Sequence, residues 1–155
     1  MEIADLIGPD SVIADLRATS KKQALQELAE RAAALTQLHE RQIFDVLLER
    51  ERLGTTGVGN GIAIPHGKLA GLKRLHGVFA RLSTPIDFES IDERPVDLIF
   101  LLLAPETAGA DHLKALARVS RLLRDQTVCE KLRKTETADA LYIILTEGNA
   151  ATNAA

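Results

Sequence analysis

The 155-residue chain has one cysteine, Cys129. No internal disulfide can form, and neither a secreted disulfide scaffold nor a zinc cluster built on cysteine pairs is possible. No secretion signal is expected either, because Met1-Glu2-Ile3-Ala4-Asp5 places acids where such a segment needs basic residues. The longest apolar run, Leu98 to Ala104, is too short to span a bilayer. A reducing cytoplasm, with no membrane insertion, is the expected setting. Positive charge is scarce as well: 19 basic against 22 acidic side chains give a net charge of −3, the wrong sign for holding a phosphate backbone. Nucleic acid is not an expected partner.

What is present suits an ordinary soluble globule, 46% hydrophobic and 26% charged. A chain of this length buries about 70% of its unfolded surface on folding and needs no metal or disulfide to hold it. One domain is expected over residues 1–155, with a core from about 5 to 147 and a frayed tail from Gly148 to Ala155. Val12 to Leu16 reads as a short strand after the turn Gly8-Pro9-Asp10. Ser20 and Gln23 form a capping box for a first helix with Leu25, Leu28, Ala29, Ala32 and Leu35 on one face. A second helix runs from about His39 to Arg52, with Ile43, Val46 and Leu47 as its stripe.

Leu75 to Ser83 and Val96 to Leu103 read as strands, and the second is apolar at nearly every position, as a central strand covered on both faces should be. Asp111 is the expected N-cap of a helix that starts at His112 and carries Leu113, Leu116, Ala117, Ser120 and Leu123 on one side. Helices near Thr127 to Arg133 and Thr137 to Leu145 complete the chain. Helices on either side of a run of strands imply an α/β fold, a central mixed β-sheet sandwiched between helices.

Between the second helix and these strands lies LGTTGVGNGIAIPHG, Leu53 to Gly67, in which only Ile62 to Ile64 is β-prone. Gly57-Val58-Gly59-Asn60-Gly61-Ile62 lacks the third glycine of a dinucleotide fingerprint. Gly61 to Leu69 has five residues, not four, before Gly67-Lys68, and Leu69 stands where a P-loop needs a hydroxyl. Neither nucleotide reading survives. No G-x-S-x-G elbow is present, and His39, His66, His76 and His112 show no zinc spacing, so no metal and no cofactor is expected.

His39 and His76 read as solvated surface residues. His66 stands between Pro65, which fixes φ, and Gly67, which admits a close neighbour, so it is rigid and accessible. His112 at a helix start feels the positive dipole end, which disfavours imidazolium and favours an adjacent anion. Arg50 and Arg52 suit a solvated helix C-terminus. Spacing alone leaves open whether any of these groups does chemistry.

The segment from Gly54 to Lys68 resembles the phosphorylation-site segment of the fructose/mannitol-class enzyme IIA proteins of the bacterial phosphotransferase system. The resemblance continues through Ile86-Asp87-Phe88, Pro95 to Glu106 and His112 to Leu123, and within the class it is greatest for the nitrogen-regulatory branch. Asn60 stands where the mannitol branch has an acid, and Val58 replaces the usual isoleucine.

The resemblance implies the same mixed sheet between helices and a phosphoryl carrier rather than a turnover enzyme. His66 would accept the phosphoryl group, with His112 as the second site histidine and Arg50 as the nearby arginine. The donor would be an HPr-like phosphocarrier protein, and the targets would be regulatory partners such as sensor kinases or potassium-transport systems. Phosphoryl oxygens are expected to meet amides of the glycine loop together with Arg50 and His112. Two other readings are compatible with these residues: a sugar-specific component that passes phosphate to a IIB domain, and a docking module with a vestigial site.

Overall fold

The apolar run seen in the sequence becomes the axis of the molecule. The computed structural model describes residues 1–154, with burial defined through Glu147. Its strands are β1 (Val12–Ile13), β2 (Gly57–Gly59), β3 (Ile62–Ala63), β4 (His66–Leu69), β5 (His76–Ile86) and β6 (Val96–Pro105). Its α-helices are α1 (Lys21–Thr36), α2 (Glu40–Arg52), α3 (Ala110–Arg124), α4 (Gln126–Lys134) and α5 (Ala138–Ala154).

The sheet order is β1-β5-β6-β3-β2, with β4 also paired to β6. β5 runs antiparallel to β6, whereas β3 and β4 run parallel to it, so the sheet is mixed as expected. Side chains of β6 alternate between two cores. Ile99, Leu101 and Leu103 pack with Leu25, Leu28, Ile43 and Leu47 of α1 and α2. Leu98, Phe100 and Leu102 pack with Ala115, Val119, Leu132 and Leu141 of α3, α4 and α5. Every β6 side chain except Asp97 is buried, which is why this strand lacks the polar alternation of a half-exposed one.

Local chemistry sets most element ends. Ser20 caps α1 by accepting from the Gln23 amide, but the Gln23 side chain reaches back to Thr19 rather than to Ser20. The first strand is shorter than expected, two residues rather than five. The glycine segment holds two paired strands, β2 and β3, where only one β-prone piece is visible in the sequence.

α3 begins at Ala110 with Gly109 as its N-cap, at φ 54°, a left-handed conformation suited to glycine. Asp111 therefore lies inside the first turn and is not the cap. The buried face of α3 is His112, Ala115, Val119, Leu122 and Leu123, while Leu113 is 69% exposed. Counting His112 as polar shifts the apparent stripe by one residue, about 100° around the helix. The expected tail is part of α5 through Ala154, as the helix propensity of its alanines allows, and Ala155 lies outside the described residues.

Truncation should separate the two faces. Phe100→Ala, at a fully buried ring edge-on to Phe79, should cost about 3–5 kcal/mol in urea unfolding, and Leu122→Ala about 2–5 kcal/mol. Leu113→Ala should stay within about 0.5 kcal/mol of the parent.

Candidate functional site

His66 is the first residue of β4 and sits opposite Leu102 of β6. It is thus a strand residue, not the loop residue suggested by its proline and glycine neighbours. The amide of Leu102 donates to the Pro65 carbonyl at 2.9 Å, anchoring the backbone just before the ring to the central strand. The Nδ1 atom of His66 lies 2.9 Å from the Ile64 carbonyl oxygen. A carbonyl only accepts, so Nδ1 carries the hydrogen, and Nε2 of the neutral ring holds the free electron pair.

His112 approaches from the first turn of α3. The two imidazoles meet edge to face, with centroids 5.7 Å apart and planes at 69°. His112 is 7% exposed, and its Nε2 has no hydrogen-bond partner among the described residues. Burial first, then repulsion from His66 whenever that ring is protonated, and then the charge of Lys68, hold its pKa below the usual 6.5. The expected direction is thus found, although desolvation rather than the helix dipole leads. Lys68 lies two residues beyond His66 on β4 and hence on the same face of the sheet.

The approach over Gly67 is filled from within. A Cβ there would fall 2.6 Å from Cγ1 of Val46, so the missing side chain lets α2 close on β4 and is not an opening for another molecule. Arg50 lies one turn after Val46 on α2, and its Nη1 donates to the Gly54 carbonyl at 2.9 Å. The structure therefore brings His66 and His112 together, while the guanidinium of Arg50 holds the start of the glycine segment. Arg52 pairs with Glu49 at the surface.

Two glycine-segment amides expected to face an anion are already occupied. Gly57 donates to the Thr55 hydroxyl and Asn60 to the Asp92 carboxylate. At Gly61, φ is +81°, and a Cβ would meet Arg133 at 2.6 Å and Asp97 at 2.8 Å, which leaves room for no other residue. The segment is a built hairpin held by its own contacts. His39 is exposed as expected, but His76 is half-buried, and burial, followed by the charge of Arg74, lowers its pKa.

One carboxylate not singled out in the sequence underlies this arrangement. Glu51, 7% exposed, accepts from the Thr56 amide at 3.1 Å, from the Thr56 hydroxyl, and from Lys21 Nζ at 2.7 Å. It ties the start of α1 and the end of α2 to the glycine segment, directly beside Arg50. The clue in the sequence is an acid at the negative end of a helix dipole, where it is disfavoured without a partner. Among the described residues, no group of three or more His, Cys, Asp or Glu could hold a metal ion.

Residues 5–148 match the family model described as phosphoenolpyruvate-dependent sugar phosphotransferase system, EIIA 2. The chain belongs to this family of phosphotransferase-system IIA proteins. Within it, the chain falls with the nitrogen regulatory proteins. It is 62% identical over 145 residues to the "Nitrogen regulatory protein" of Bradyrhizobium diazoefficiens, covering 94% of this chain and 95% of that one. The crystal structure of nitrogen regulatory protein IIA-Ntr from Neisseria meningitidis superposes with a TM-score of 0.88 at 35% identity, covering 93% of this chain and 99% of that one. The fructose-specific EIIABC component of Bacillus subtilis is 32% identical over 148 residues, 95% of this chain and 23% of its own length.

Glu51→Ala should cost about 3 kcal/mol in urea unfolding, the low end for breaking a buried pair because Lys21 keeps some access to water. His112 gives a pH dependence of definite sign. Its folded pKa is depressed, so the unfolded chain takes up the proton first as the pH falls through about 6.5. Stability from the neutral ring is complete above that pH and declines below it. Thermal melting at about pH 7.5 and 5.5 should therefore show a smaller acid-induced drop for His112→Gln than for the parent.

Proposed function

We propose that the protein is a regulatory phosphoryl carrier of the nitrogen-type phosphotransferase system, charged on Nε2 of His66 by a histidine-phosphorylated HPr-like donor. The observation that supports this most directly is the 2.9 Å contact from Nδ1 of His66 to the Ile64 carbonyl, which leaves Nε2 as the nucleophilic nitrogen. In the transfer, the Nε2 pair forms a bond to phosphorus as the donor's N–P bond breaks, and the departing electron pair stays on the donor imidazole. Positive charge then develops on the His66 ring, and the Ile64 carbonyl, already accepting from Nδ1, stabilises it.

The unpartnered Nε2 of buried His112 is the group in reach that can turn a hydrogen toward a phosphoryl oxygen. Arg50 supports the reading through the Gly54 carbonyl that fixes the neighbouring segment, with its remaining N–H groups available to the anion. One N–P bond replaces another, so the step is close to thermoneutral and reversible, and positioning carries most of the catalysis. A group of roughly two negative charges on His66 then alters which regulatory proteins can dock beside it. Identity of 62% to a nitrogen regulatory protein, against 32% to a fructose component, favours regulation over sugar transport.

Intact-mass measurement at alkaline pH after incubation with phosphoenolpyruvate, an enzyme I-type kinase and the carrier should show one added phosphate. His66→Ala should show none, and His112→Ala should be labelled about tenfold or more slowly, the loss of one strong donor. Full labelling of His66→Ala would overturn the reading. In the phosphorylated protein the His112 pKa should rise, because a nearby anion favours imidazolium; NMR titration of its ring protons measures this.

A further inference from the structure

We propose that the cleft between the β2–β3 hairpin and α4 is a binding site for a small monocarboxylate with an apolar body. The cleft has a volume of 760 Å³, within the range of roughly 300–1,000 Å³ typical of small-molecule sites. Its apolar floor comes from Ile62, Ile64, Leu123 and Cys129. Its charged groups are Arg94, Arg124 and Arg133 against Asp97 and Glu130, three minus two, which leaves one positive charge in excess.

The carboxylate of Asp97 is already committed. Arg133 donates to both of its oxygens, at 2.8 and 3.0 Å, and to the Asn60 carbonyl at 2.8 Å. Arg94 and Arg124 are exposed, and neither guanidinium makes an ion pair or a side-chain hydrogen bond among the described residues. The side chains of Asn60, Ser120 and Gln126, also on the wall, are without hydrogen bonds among those residues. A guanidinium fork takes a carboxylate through two parallel hydrogen bonds. A single excess charge matches a monoanion, whereas a phosphate dianion would leave the cleft net negative and its apolar floor uncovered.

The cleft also reaches the histidine site through one residue. Ile64 lends its side chain to the floor and its carbonyl to Nδ1 of His66, so an occupant pressing on Ile64 bears on the placement of the imidazole. Binding itself does not depend on phosphoryl transfer.

Titration of the ¹⁵N-labelled protein with hexanoate tests the site. Amides of Asn60, Gly61, Ser120, Gln126 and Cys129 should shift together and saturate in the millimolar range, with the His66 ring resonances following the same curve. The surface double variant Arg94→Gln/Arg124→Gln should bind about tenfold or more weakly, as loss of charge-assisted hydrogen bonds requires. Hexan-1-ol, which has the chain without the charge, and inorganic phosphate, which has charge without the chain, should each bind at least about tenfold more weakly than hexanoate. Absence of saturable shifts at the cleft, equal binding of either control, or unchanged binding by the double variant would overturn the proposal. Saturating cleft shifts with an unmoved His66 ring would overturn the Ile64 link.

Discussion

The burial of β6 on both faces is the constraint from which the rest of the molecule follows. With apolar side chains alternating to two cores, the strand needs helices above and below it, and α1–α2 and α3–α5 supply them. Three other strands pair with it directly, among them the short β4 that begins at His66. A short strand is marginal alone, but here its backbone is pinned to the most buried element of the fold. The imidazole is therefore presented at the rim of a rigid sheet, where a reactive nitrogen can be both accessible and fixed.

Electrostatics then distinguishes the groups around it. Desolvation above all lowers the pKa of His112, so its own ring is not a permanent cation beside His66, whereas an anion held next to it would favour the charged form. Glu51 has the opposite character, a buried carboxylate satisfied by Lys21 and Thr56, which locks the end of α2 to the glycine segment. Such a pair adds little net stability but leaves a costly unpaired charge when broken, so it fixes geometry more than it strengthens the fold. Glu51 and Lys21, which hold the segment in place, are thus charged and paired, whereas His66 and His112 each keep Nε2 without a hydrogen bond among the described residues.

The same residue types were legible to different degrees. His66 stood out because a proline and a glycine flank it, though those neighbours gave no sign that it begins a strand. Gly67 looked like an opening, and only the position of α2 shows that Val46 fills the space. The stripe of α3 was misplaced because a histidine was counted with the solvent face, when it is the first buried residue of that helix. Glu51 resembled one more charge in a polar helix end, since burial of an ion pair depends on what packs over it.

The order of the helices, the strands near Val12, His76 and Val96, the central position of Val96 to Leu103, the exclusion of nucleotide and metal motifs, and the family resemblance around Pro65-His66-Gly67 were all determined by the sequence alone. These features rest on local pattern, which repeats every two or 3.6 residues and can be read along the chain. The meeting of His66 with His112, 46 positions apart, the tautomer set by the Ile64 carbonyl, the pairing of Lys21 with Glu51 and the cleft beneath the glycine hairpin were decided only by tertiary structure. Distance between side chains far apart in sequence is fixed by how the layers pack, and no local period encodes it.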